Sequence, residues 1–355
     1  MRAKKVAAIL LSGALLVSVF TGCGMNKNAA AATMKGQEVS LGLANFYCRL
    51  QQAGSEDMYK SILGASSEES IWTKDLYGNG TTLEDNLKDS VMEELHAMYT
   101  LQAHMKDYKV ELTDEDKKAI DQAVADFLNE NSKEALKEMG ADKDIVTEFL
   151  TLYTIKDKMT EAIGAEADTN VSDEEANMRG YSMIKISATG KTDENGQETE
   201  YTDEEKAKLK DKVKKNMVEG LRAEGATLES VAKENGYEVT KGTYAKDDST
   251  LDEDVKKALD GLKEGETSSL IETESAYYFV RIDKDTDKEA TEKNRESIIS
   301  TRKNDHYNDV LSGWQKKDGW KVDDKKLAMI SFKNSLTEKN PNASTETESV
   351  QSTQQ

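Results

Sequence analysis

The sequence predicts an α+β protein dominated by helix, in which a helical module made from N-terminal helices and one C-terminal helix holds an inserted small α+β domain. Three observations carry this. Apolar residues recur at three- and four-residue steps from about residue 43 to residue 163. From residue 171 to about 285 short helices alternate with runs rich in aromatic and β-branched residues, and 288–315 is helical again. Charged residues make up 33% and aromatic residues 6%, the composition of long solvated helix faces.

The chain begins with Arg2, Lys4 and Lys5, followed by the uncharged run 6–20. Fifteen residues are too few to cross a bilayer core, which needs about 20. A basic start before a short apolar run is the pattern of a secretory signal, so 1–22 is expected to be removed. Phe20-Thr21-Gly22-Cys23 resembles a bacterial lipobox, with Phe20 in place of the usual Leu, and implies that Cys23 is lipidated. The expected location is the extracytoplasmic face of the cell membrane, held by a lipid anchor.

Without 1–22 the chain keeps 45 Lys plus Arg against 68 Asp plus Glu, a net charge of −23. Such a surface repels phosphates, so nucleic-acid binding is excluded as a reading. Cys48 is the only cysteine besides Cys23, which leaves no disulfide framework.

Residues 23–36, small and polar, are expected to be a flexible stalk. The helical module follows at 37–170. A first helix runs from about Leu43 past Leu63, interrupted near Gly54. Thr82, with Asp85 three positions on, starts a helix reaching about Asp107. Thr113 starts the next, Lys133 to Met139 ends at Gly140, and Ile145, Phe149, Leu152, Ile155, Met159 and Ile163 mark a longer one.

In the inserted domain, 171–285, Ser172-Asp173-Glu174-Glu175 opens a short helix and 181–186 reads as a strand. Asn195-Gly196 suggests a hairpin-like excursion. Helices at 203–222 and 228–234 precede a short strand at 237–239, a helix at 251–262 and a strong strand at 276–283. Residues 286–332 carry the helix expected to return to the N-terminal module, and 333–355, rich in Ser, Thr, Asn and Gln, are expected to be disordered.

The phrase Val171-Ser172-Asp173-Glu174-Glu175, the stretch Leu228-Glu229-Ser230-Val231-Ala232-Lys233 and the turn Gly265-Glu266-Thr267-Ser268 before the last strand resemble the SurA/PrsA type of parvulin foldase. The resemblance spans roughly 37–332. It implies a helical chaperone module around a parvulin-type peptidyl-prolyl isomerase domain, with unfolded or newly translocated polypeptides as partners, and it leaves a homodimer open.

Active members carry one His in the first strand and another after Gly-Tyr in the last. Met183 and Tyr278 stand at those positions here, and His96, His104 and His306 all lie outside 171–285. The Met and Phe that hold the prolyl ring align loosely with Leu251 and Val255, and the doubled-Gly turn is reduced to Lys241-Gly242-Thr243. The candidate pocket is thus Met183, Tyr277, Tyr278, Leu251 and Val255. Tyr278 can donate a hydrogen bond, but Met183 cannot replace a ring that both donates and accepts.

The expected function is therefore a membrane-anchored foldase or holdase whose parvulin-like domain lacks its usual histidines. An isomerase with an altered pocket and an adaptor or binding lipoprotein are the alternatives. No cofactor or metal is expected. His96 and His104, eight apart on one helix, read as surface or seam residues rather than a metal site.

Overall fold

A computed structural model of the chain describes residues 15–17, 25–64, 70–76, 78, 80–192 and 198–338. Cys23, the signal segment apart from 15–17, the Asn195-Gly196 turn and the tail from 339 onward lie outside the described residues. The chain divides into two compact units, one of residues 1–167 with 303–355, the other of 168–302.

The first unit is a helical bundle with a small sheet. Its helices are α1 (Leu41–Leu63), α2 (Leu83–Ala103), α3 (Asp114–Glu130), α4 (Lys133–Met139) and α5 (Lys143–Gly164). Local chemistry sets their ends. Thr82 with Asp85, and Thr113 with Asp116, form reciprocal capping boxes, while Ser40, Ser132 and Asp142 cap through one side-chain oxygen each. Gly140 stops α4 at φ 66°, a conformation cheap only for glycine. The expected break at Gly54 is absent, since α1 runs unbroken through it and buries Phe46, Cys48, Arg49 and Gln52.

Phe46 lies edge-on to Phe127 and Phe149, with centroids 5.7 and 5.4 Å apart, at the centre of the core. The second half of α10 (Lys288–Gln315) packs Tyr307, Val310, Leu311 and Trp314 on Leu101, Ile155, Met159 and Ile163. The three histidines lie in this unit. His96 stacks on Trp320 at 4.4 Å and reaches Asp318 at 2.8 Å, and His104 stacks on Trp314 at 4.0 Å.

Two expectations for the chain ends need correction. Residues 30–34, assigned to the stalk, form strand β2 (Ala30–Met34), which pairs with β3 (Gln37–Ser40) and β10 (Lys321–Val322). Ala31, Ala32 and Met34 are fully buried. Lys35 and Gly36 turn the hairpin with φ 45° and 83°, the two-residue turn that matches strand twist. Part of the segment expected to be disordered, from 333, is ordered. Arg49 donates to the carbonyls of Ser331 and Asn334, and Leu336 is buried at the start of β11 (Leu336–Glu338), which pairs with β1 (Leu15–Val17). A short helix, α11 (Asp324–Leu327), precedes this segment.

The second unit is a four-stranded antiparallel sheet in the order β7-β4-β9-β8, from β4 (Arg179–Ser187), β7 (Thr240–Tyr244), β8 (Ile271–Glu272) and β9 (Ala276–Lys284). The capped turn α6 (Asp173–Ala176) leads into it. One face, with Ile184, Ile186 and Phe279, is covered by α7 (Asp203–Lys212), its π-helical continuation Val213–Val218 and α8 (Leu228–Asn235). The other face is covered by α9 (Glu253–Gly261) through Val255 and Leu259. A minor hairpin joins β5 (Gly190–Thr192) to β6 (Glu198–Glu200). The strand expected at 237–239 lies three residues later, as β7, because Tyr237 and Val239 pack on the first face and Thr240 starts the pairing with Met183.

Candidate functional site

Side chains along a strand point alternately to opposite faces, and this alternation sorts the candidate residues. In β4, Ser182, Ile184 and Ile186 face α7 and α8, which leaves Tyr181, Met183 and Lys185 on the α9 side. In β9, Tyr278, Val280 and Ile282 join that side. The register sets Met183 beside Val280 and Thr240, and Lys185 beside Tyr278.

Met183, Tyr278, Leu251 and Val255 therefore meet on one apolar face, as the sequence pairing implies, while Tyr277 does not belong with them. It packs with Ile184, Ile186 and Phe279 on the other side of the sheet. The alternation of β9 carried that signal, since neighbours in a strand cannot share a pocket. Tyr181, which sequence reasoning passed over, joins the face and lies 5.9 Å from Tyr244. Its ring covers Gly242 so closely that a Cβ there would sit 2.7 Å from the hydroxyl oxygen. That close approach, rather than a turn, is what the glycine of Lys241-Gly242-Thr243 permits.

The face is apolar with one polar handle. Tyr278 is 6% exposed, and its hydroxyl has no hydrogen-bond partner among the described residues. Lys185 Nζ stands 5.8 Å from the centre of its ring, a weak cation–π contact. Burial, with Asp248 adding to it, raises the pKa of Tyr181.

Two polar networks hold the sheet behind this face. Arg179 donates to the Tyr244 hydroxyl at 3.1 Å, to the carbonyls of Leu259 and Leu262 at 2.8 and 2.6 Å, and to Asp285 at 2.6 Å. It thereby ties the end of α9 to the sheet. On the opposite side Arg281 forms a bidentate pair with Glu229, at 2.8 and 2.6 Å, and reaches Asp283, which accepts from buried Ser182. The Arg281 hydrogen bonds hold the Glu229 carboxyl down at about 2.

A separate cleft of about 720 Å³, lined by Asp173, Asn177, Arg179, Lys246 and Thr286 among others, contains none of the five candidates. Among the described residues no group of three or more His, Cys, Asp or Glu side chains could hold a metal ion, and no helix is long and apolar enough to cross a membrane.

Rotation about a prolyl bond needs no covalent chemistry. It needs a surface that binds the twisted amide better than the planar one, against a barrier of ~18–20 kcal/mol. On this face Met183 and Leu251 are half-buried, while Val255 and Tyr278 are buried. The thioether of Met183 is at most a weak acceptor.

Residues 191–292 match the family model of the PPIC-type PPIASE domain. The match begins after β4, so Met183 lies ahead of the matched segment. Among curated proteins none matches the chain. Among solved structures, the foldase protein PrsA of Lactococcus lactis is similar over 85% of this chain and 97% of its own, at 15% identity and a TM-score of 0.34. A peptidylprolyl isomerase (PrsA) of Bacillus cereus is similar over 73% and 96%, at 18% identity and 0.30. A structure from work on PEB4 and Cj1289 of Campylobacter jejuni, described as SurA-like chaperones, is similar over 83% and 99%, at 12% identity and 0.29. At such identities and scores these likenesses bear on neither activity nor partners.

Proposed function

We propose that the chain is a membrane-anchored foldase of the holdase kind for exported polypeptides, with a parvulin-like domain that binds peptide without the usual pair of histidines. The observation that carries this reading is the match of 191–292 to the PPIC-type isomerase domain, together with an apolar face formed by Met183, Leu251, Val255 and Tyr278. The face keeps the means to hold a prolyl side chain and lacks an imidazole on either strand where one is expected. The basic start, the short apolar run and Cys23 in its lipobox support an anchor on the extracytoplasmic side.

An isomerase with an altered pocket is the second reading, favoured by the unpaired Tyr278 hydroxyl on that face. Two assays on the whole chain separate these readings from each other and from a passive adaptor. One is suppression of aggregation of a denatured client. The other is cis–trans exchange in a proline peptide, followed by NMR. Suppression without faster exchange is the expected result. Faster exchange lost in Tyr278→Phe would establish the second reading, and failure of both assays would leave the adaptor.

A further inference from the structure

The helical unit contains a second cleft, of about 820 Å³, formed by α1, α2, α5 and the C-terminal half of α10. The volume lies near the upper end of the roughly 300–1,000 Å³ of ligand clefts, room for a few residues of polypeptide. Its lining includes Tyr47, Gln51, Glu93, Glu94, Tyr153 and Leu311. Tyr47 and Tyr153 flank Phe149, at ring distances of 4.8 and 6.2 Å, so the aromatic side of the cleft is built into the core.

The charge of the cleft has one sign to spare. Glu94 is neutralised by Lys156, and His96 is engaged by Asp318. Glu93 is exposed and has no ion-pair partner among the described residues. It also ends a row of carboxylates, Asp85, Asp89 and Glu93, spaced four apart on one side of α2. Burial first, and then Asp85, Glu93 and Asp324, raise the pKa of Asp89, with Lys88 opposing them.

We propose that this cleft docks basic segments of client polypeptides, an Arg or Lys side chain lying against the Tyr47 and Tyr153 rings with its charge toward Glu93. The assignment rests on the holdase reading given above. Two tyrosines and a free carboxylate lining one cleft are surroundings that favour a cationic side chain. The net charge of −20 for the whole chain works in the same direction, drawing basic segments in and turning acidic ones away. A bare metal ion fits poorly, because no cluster of three ligating side chains exists among the described residues.

The test is calorimetric titration of the full chain with three peptides of one frame, carrying an Arg pair, a Gln pair or a Glu pair at the centre. The Arg peptide is expected to bind about ten-fold tighter than the Gln peptide at low salt, with the advantage shrinking as salt rises. Glu93→Gln should remove most of that advantage. Glu93→Lys should transfer the preference to the Glu peptide. Both changes are at an exposed position, so folding is preserved and is checked by circular dichroism. Equal binding of the three peptides, or an Arg preference untouched by both variants, would overturn the assignment. Aggregation suppression run alongside separates the two claims. A chain that suppresses aggregation without discriminating the peptides overturns the cleft alone, and one that does neither overturns the holdase reading as well.

Discussion

Tyr278→Phe removes one oxygen from the centre of the candidate face and nothing else. The ring stays among Tyr244, Val255, Leu259, Val280 and Ile282, and the hydroxyl leaves no orphaned partner because it has none among the described residues. Folding stability should therefore stay within about 0.5 kcal/mol of the parent. Peptide binding should not stay the same. A hydroxyl that donates to a client carbonyl is worth about 0.5–1.5 kcal/mol net, so affinity for a proline peptide should fall about two- to ten-fold. Urea unfolding measures the first quantity and a fluorescence titration with a labelled proline peptide the second. Tyr277→Phe is the matched control, since that ring lies on the opposite face with Ile184 and Phe279, and its peptide affinity should be unchanged. Loss of affinity in both variants, or in neither, would refute the assignment of this face. A loss of stability beyond about 1 kcal/mol in Tyr278→Phe would show that the hydroxyl is bonded in the fold after all.

Glu56 is 2% exposed and accepts from Gln52 at 3.0 Å, Trp72 at 3.3 Å, Lys60 at 2.8 Å and Ser335. Glu56→Ala leaves those donors buried without their acceptor and should cost about 3–5 kcal/mol in urea unfolding, with faster amide exchange at 331–336. Gly242→Ala should cost about 1–3 kcal/mol, read as a lower urea midpoint, because the new methyl would meet the Tyr181 hydroxyl oxygen at 2.7 Å and its ring at 2.8 Å. The Glu229 carboxyl, depressed to about 2 from an ordinary 4.5, binds its proton more weakly folded than unfolded. Its stabilisation is thus complete above pH 4.5 and is lost as pH falls toward 2, and Glu229→Gln should flatten that part of the stability profile. Because Glu229 is 41% exposed, the effect should be on the order of 1 kcal/mol.

Periodicity and capping made most of the helices legible. Thr82 and Thr113 start helices where the sequence placed them, and Thr202 and Thr227 form reciprocal capping boxes of the same kind. The small sheet of the first unit was not legible for a physical reason. Ala30, Ala31 and Ala32 have little strand preference of their own, and only pairing with β3 and β10 makes their burial worthwhile. Ser331–Leu336 was hidden likewise. Its Ser and Asn resemble the tail that follows, and what orders it is Arg49, Gln52 and Glu56 on a helix nearly three hundred residues earlier. At the candidate face the strands were legible and one residue was not sorted. Tyr277 and Tyr278 are alike in chemistry, and only the two-residue period of β9 separates them.

On the proposed reading, that period also lets the domain keep its fold with Met183 and Tyr278 at the two positions where imidazoles are expected. Stability is concentrated in residues such as Ile184, Phe279, Val280, Val255 and Leu259, all essentially inaccessible to solvent. Met183 is only half-buried at the rim of this core, and the polar end of Tyr278 has no bond to lose. Imidazoles placed there would add hydrogen-bonding capacity for a bound amide and little to packing. On the proposed reading, a thioether and a phenol at these positions offer a twisted amide less hydrogen bonding than imidazoles would, while the core beneath them is unchanged. The proposed reading therefore predicts that holding a peptide and turning it are separable in this domain, which is the distinction between a holdase and an isomerase.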